Sequence, residues 1–153
     1  MRLGQDWIAA RIPHRGRMCL LDEVLELDPV HIRCRAVSHR DPDNPLRAHG
    51  RLGAVCGIEY AAQAMALHAG CPAGEPTRPA SLAGGVHGLI ASVRRVALEV
   101  SRLDDLPGDL IAAAVHVHGD AHSALYDFTL TSEGRLLASG RAAVVLTRDT
   151  HAA

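Results

Sequence analysis

Alternation of apolar and polar positions is clearest over His31–Val37, where Ile32, Cys34 and Ala36 share one face and His31, Arg33 and Arg35 the other. That is the pattern of a half-buried strand, and Asp28-Pro29 just before it is a turn signal. Further along, Val96, Leu98 and Val100 alternate with Arg95, Ala97 and Glu99, and an apolar run from Ile111 to His118 follows the Pro107-Gly108 turn. Leu125–Thr131 and Leu136–Leu146 read as a hairpin across Ser132-Glu133-Gly134. One segment breaks with period two. AVCGIEYAAQAMALHAG, from Ala54 to Gly70, spans about four helical turns, is alanine-rich and apolar nearly all round, and stops at a glycine. A helix apolar on every face is expected to be buried on most sides. Met18–Leu27 (MCLLDEVLEL) fits strand or helix, because a short apolar run does not discriminate. Residues 41–53 and 71–85, rich in Gly, Pro and Asp, read as loops. Residues 1–17 form an expected N-terminal arm, with a short helical turn at Trp7–Ala10 that Pro13 ends, and 147–153 a C-terminal tail.

The order is strand, strand, one buried helix, then several antiparallel strands. A sheet with one apolar face needs a cover, and only one long helix is available to supply it. The expected fold class is therefore α+β, a single domain over 1–153 in which a curved antiparallel sheet wraps a central helix. The length of 153 residues and an apolar content of 48% suit one well-filled core. Trp7, Tyr60, Tyr126 and Phe128 are the whole aromatic set, so that core is built from Ala, Val, Leu and Ile. A net charge of -1 argues against a nucleic-acid binder working through bulk positive potential. No window approaches the roughly 20 apolar residues of a membrane span, and the charged, proline-broken N-terminus is unlike a signal peptide. Cys19, Cys34, Cys56 and Cys71 lack the short paired spacing of zinc sites and read as reduced, buried thiols of a cytoplasmic protein.

Glu59 stands out against this background. It is the one acidic residue between Gly53 and Gly74, and it lies in the first turns of a helix that otherwise reads as buried. A carboxylate in apolar surroundings costs several kcal/mol or takes up a proton. Two readings follow. Glu59 favours the helix N-terminus or pairs with an arginine such as Arg51, or it is a general acid or base. His49, in the loop before the helix, is a candidate second member of an acid–base pair. Helix-start amides around Val55, Cys56 and Gly57 are candidate donors to a developing oxyanion, with Gly53 and Gly57 allowing close approach of substrate. Three weaker signals remain. His116, His118 and His122, with Asp120 nearby, read as a solvent-facing group or as metal ligands. Cys56, at the helix start, reads as a small buried residue or as a thiol of lowered pKa. Arginines at 94, 95 and 102 read as solvated strand positions or as partners for phosphopantetheine or an acidic carrier surface.

Two stretches carry a resemblance. Ile12–Val24 (IPHRGRMCLLDEV) resembles the PHR…LLxDxV signature of the 3-hydroxyacyl-carrier-protein dehydratases, and Gly57–Ala64 (GIEYAAQA) resembles their central-helix pattern. The likeness is closer still to the ApeP-like hotdog proteins, with Ala91–Val96 (ASVRRV) and Leu103–Leu106 (LDDL) as further marks, and it runs from about residue 10 to 146. It implies a hotdog fold and dehydration of a thioester carried on the phosphopantetheine of an acyl carrier protein, with no cofactor or metal. In that family the histidine and the carboxylate of one pocket come from different protomers, so the resemblance also implies a homodimer or higher oligomer, or a mixed dimer with another hotdog subunit. Glu59 matches the catalytic carboxylate and Gln63 its companion one turn later, expected to contact substrate. His49 is the nearest match to the catalytic histidine, although its loop, His49-Gly50-Arg51-Leu52-Gly53, is shorter than the family's His-Phe-Pro-Gly-Arg-Pro stretch. His14, in Pro-His-Arg-Gly, is a second candidate within a motif that reads as mainly structural. A catalytically incomplete partner subunit and an acyl-thioester hydrolase are the alternative readings.

Overall fold

Short antiparallel connections bring the alternating segments into one sheet, and the computed structural model describes it over residues 3–71 and 86–148. The strands are β1 (Leu3–Gly4), β2 (Glu23–Leu27), β3 (His31–Ala36), β4 (Val86–Leu98), β5 (Leu110–Gly119), β6 (Ser123–Ser132) and β7 (Arg135–Arg148). Their spatial order is β1-β2-β3-β5-β6-β7-β4, and every neighbouring pair is antiparallel. A short helix α1 (Gln5–Ala9) follows β1, and the main helix α2 (Gly57–Ala69) lies against β3, β4, β5, β6 and β7. The fold is the hotdog arrangement, one curved sheet around one helix, and the class is α+β as the sequence implies.

The inward face of the sheet is made of small and aliphatic residues, which lets the helix sit close. Ile32, Cys34 and Ala36 on β3 are fully buried, Leu110, Ala112 and Ala114 continue the face on β5, and Tyr126, Phe128 and Leu130 complete it on β6. On the helix Tyr60, Ala61, Gln63, Ala64 and Met65 have no exposed surface. Gly57 is a packing residue: a Cβ there would lie 2.6 Å from Leu130 Cδ2. The hairpin at 132–135 turns through Glu133 (φ 50°) and Gly134 (φ 76°), and two left-handed central residues match the strand twist.

The details differ from expectation in four places. Met18–Leu27 is neither wholly strand nor helix. A 3-10 turn over Gly16–Met18 leads into buried extended chain at Cys19–Leu21, and β2 begins at Glu23. The N-terminal arm is part of the fold, since β1 pairs with β2 and Ile8 and Ile12 are buried. The helix starts as a 3-10 turn at Ala54–Cys56 before becoming α-helical at Gly57. The alternation read at Arg95–Val100 does not hold: β4 carries register shifts at Ile90/Ser92 and Arg94/Ala97, and Arg95 adopts a left-handed φ of 54°. Each bulge resets which side chains face inward, so Val96 and Leu98 are largely exposed. The loop expected over 71–85 lies outside the described residues from 72 onward, as does the tail from 149.

Candidate active site

Glu59 projects from the first turn of α2 into a cavity of about 400 Å³ lined by His14, Glu59, Ala62, Ala66, Gly88, Leu89, Ile90 and Val144. Glu59, Ala62 and Ala66 follow one another at helical spacing, so one small-residue stripe forms the floor. The first part of β4 and Val144 of β7 form the walls. Among the described residues the lining is aliphatic apart from one acidic and one imidazole group, which suits an acyl chain with a single polar reaction point.

His14 is the carboxylate's partner: its Nε2 lies 2.9 Å from Glu59 Oε1. The two side chains are about a quarter and a third exposed, at 25% and 34%. Glu59 therefore sits at the mouth of an apolar cavity rather than sealed in the interior, as the sequence suggested. The other ring nitrogen, Nδ1, is buried with no hydrogen-bond partner among the described residues. Exchange of a proton with a ligand or with Glu59 must then run through Nε2. Two groups with complementary acid–base roles, joined by one short hydrogen bond, can hold one proton and pass it between them.

The other expected site residues fall elsewhere. His49 is exposed at the tip of a four-residue turn, where His49 (φ 53°) and Gly50 (φ 74°) are both left-handed and Ala48 and Arg51 exchange backbone hydrogen bonds of 2.9 and 3.1 Å. Histidine is among the side chains that tolerate this conformation, so His49 is a turn residue here. Arg51 is exposed in the same turn, and Glu59 takes His14 instead. Val55 is 59% exposed, and Cys56 turns its Sγ toward the carbonyl of Leu46. The amides of Cys56 and Gly57 are already bonded within the 3-10 turn, to Gly53 and to Ala54 and Val55, and so are committed where an oxyanion hole needs free donors. Gly57 faces Leu130 and the sheet, not the cavity. Gln63, expected at the substrate, is fully buried and spends both ends of its amide on the arm: Nε2 donates to Met18 O (2.6 Å) and Oε1 accepts from Leu20 N (3.0 Å).

The remaining signals lie outside the cavity lining. In the LDDL stretch Asp104 is ion-paired with Arg102 and accepts from Leu52 N at 2.9 Å, clasping the chain that leads into α2. The Arg102 guanidinium holds the Asp104 carboxyl well below the usual carboxylate range, and commits Arg102 to that pair. Arg94 and Arg95 are exposed on β4. His116 packs its ring against Tyr126 and His68, whereas His118 and His122 are exposed. Cys19, Cys34 and Cys56 are free thiols, and burial pushes the Cys34 thiol up to about 12. Among the described residues no helix is long and apolar enough to cross a membrane. The residues missed from sequence are the cavity walls, Gly88–Ile90 and Val144. The stripe of Glu59, Ala62 and Ala66 was a signal that could have located the floor.

A family model described as ApeP-like, ApeP dehydratase, matches residues 7–153. Among solved structures, the chain resembles the dehydratase heterocomplex ApeI:P from Xenorhabdus doucetiae, with 20% identity over 94% of this chain and 92% of that one and a TM-score of 0.74. It is also similar to S. sahachiroi AziG (17% identity, 82% and 90% covered, TM-score 0.58). A hypothetical thioesterase with coenzyme A from Streptococcus pneumoniae is a third neighbour (14% identity, 83% and 86% covered, TM-score 0.55). No curated protein matches the sequence.

Proposed function

Given that the chain belongs to the ApeP-like dehydratase family, we propose that it removes water from a 3-hydroxyacyl thioester, with His14 and Glu59 as the acid–base pair. The observation that carries this reading is the 2.9 Å contact between His14 Nε2 and Glu59 Oε1 at the polar end of a cavity whose other described lining residues are aliphatic. In a β-elimination one group takes the proton from the carbon next to the thioester carbonyl. The bonding pair left behind forms the Cα–Cβ double bond, and the second group protonates the departing hydroxyl as water. The pair enters with one mobile proton: the member without it acts as base, the member with it as acid. After elimination the proton has changed sides, and the shared hydrogen bond returns it. Nothing in this sequence of steps calls for a cofactor.

The substrate's handle is proposed to be the phosphopantetheine of an acyl carrier protein in the cytoplasm, a compartment that suits the free thiols of Cys19, Cys34 and Cys56. A second hotdog subunit is the proposed partner. The neighbour ApeI:P is a heterocomplex, and β4, which supplies Gly88–Ile90 to the cavity wall, is among the described residues the last strand of the sheet, paired with β7 alone. Purified chain, alone and mixed with a candidate partner subunit, is incubated with a 3-hydroxyacyl-carrier thioester. Appearance of the conjugated enoyl thioester supports the proposal. Release of free carrier thiol instead identifies a hydrolase and rejects it, and no turnover under either condition rejects a catalytic role.

A further inference from the structure

His14 sits on an arm that reaches α2 from outside the helix, 45 residues earlier in the chain than its partner, so something must fix the arm against the helix at the right height. Gln63 lies one turn beyond Glu59, on the same side of α2. We propose that Gln63 is a positioning residue for the acid–base pair: by clamping the backbone at Met18 and Leu20 it sets the His14 ring against Glu59 and does not itself meet substrate. The inference rests on the reading of His14 and Glu59 given above.

The clamp is specific in polarity. Met18 offers a carbonyl, which only accepts, and Leu20 an N–H, which only donates, so the Gln63 amide is oriented one way: Nε2 to Met18 O at 2.6 Å, Oε1 to Leu20 N at 3.0 Å. Gln63 has no exposed surface, so neither bond is replaced by water at low cost. Leu20 is held on its other side too, where its carbonyl accepts from Ser38 Oγ at 2.9 Å. Between the clamp and His14 the chain is short and stiff. Met18 N bonds to Arg15 O and Cys19 N to Gly16 O, both at 3.1 Å, and Gly16 supplies the bend with a φ of 56° that a Cβ would strain. Pro13 restricts the residue on the other side of His14. A displacement at Met18–Leu20 is therefore carried to the imidazole.

The test labels the histidines with ¹⁵N in the full-length protein and follows the His14 ring resonances by NMR across pH. His14→Gln identifies the signals, and Glu59→Ala gives the spectrum of an uncoupled ring. In Gln63→Leu, which removes donor and acceptor together, the His14 signals are expected at the uncoupled position while the other histidines keep theirs. Turnover should fall by about 100-fold in kcat with KM little changed, the scale of a misplacement of about 1 Å. Gln63→Glu provides a second arm. Its carboxyl donates to Met18 O only while protonated, so the His14 spectrum should be native at low pH and acquire an added uncoupling step on deprotonation. Native His14 signals in folded Gln63→Leu overturn the proposal, as does the absence of that added step should only Gln63→Glu fold. The spectra need no turnover, so an inactive wild-type protein would reject the dehydratase reading while leaving this inference separately decided.

Discussion

Tyr60 follows Glu59 on α2, and its hydroxyl is the hub of a buried network whose directions can be worked out completely. Ser38 Oγ donates its one proton to the Leu20 carbonyl at 2.9 Å, so at its 2.8 Å contact with Tyr60 it must accept. Tyr60 therefore donates to Ser38 and accepts from Asn44 Nδ2 at 3.1 Å, whose other proton goes to Ser38 O at 2.9 Å. Tyr60→Phe removes two hydrogen bonds and strands one N–H of Asn44, a side chain that is 5% exposed. Such a loss costs about 2 kcal/mol, within a range of about 1–3, which for a chain this size lowers Tm by about 4–8 °C. Tyr126→Phe is the matched control. His68 Nε2 faces the Asp28 carbonyl at 2.9 Å and must donate, so Nδ1 accepts from Tyr126 at 2.8 Å. Removing that hydroxyl breaks one hydrogen bond instead of two and leaves the His68 Nδ1 lone pair without its donor, so the cost should fall toward the low end of the same range of about 1–3 kcal/mol. Urea titration and calorimetry of both variants give the comparison. A Tyr60→Phe cost equal to or smaller than that of Tyr126→Phe would refute the assignment of proton directions.

Three further outcomes are expected. Burial lowers the pKa of both His39 and His68 below the ordinary 6.5, so the unfolded chain binds protons the folded one resists. Stability should be level above about pH 7 and fall as pH drops from 6.5 toward the lowered values; denaturant midpoints that hold or rise over that interval contradict it. Gly57→Ala gains about 1 kcal/mol of helix propensity. It also places a methyl 2.6 Å from Leu130 Cδ2, and overpacking costs about 1–3 kcal/mol, so net destabilisation is expected in a melt. His49→Gly, at a left-handed turn position, should leave turnover intact and the fold as stable or more so. A large loss of turnover there would return the catalytic histidine to His49.

The helix, its carboxylate and the strand-rich tail were legible because each depends on local pattern: period two, a long apolar run, one acid where none is needed. The partner of Glu59 was not. The sequence places His49 near the helix start, but a two-residue left-handed turn holds that side chain in solvent, while a tertiary clamp brings His14 across 45 positions. The Pro-His-Arg-Gly stretch carried the signal, yet the role of its histidine depends on Gln63 binding backbone four and six residues further on. The bulges of β4 escaped for a similar reason. Opposite them Gly140 leaves room for the Phe128 ring, with Arg94 O at 3.3 Å from where a Cβ would stand, and such a contact has no mark in the residues of β4 themselves.

The most direct measurement is a double-mutant cycle on enoyl-thioester formation with Glu59→Gln and His14→Gln. Each single variant should lose on the order of 10²–10⁴-fold in turnover, the usual contribution of general acid–base catalysis. The double variant should be little worse than either, because the two groups act as one unit. A Glu59→Gln protein with wild-type turnover, or losses that multiply across the pair, would contradict the account.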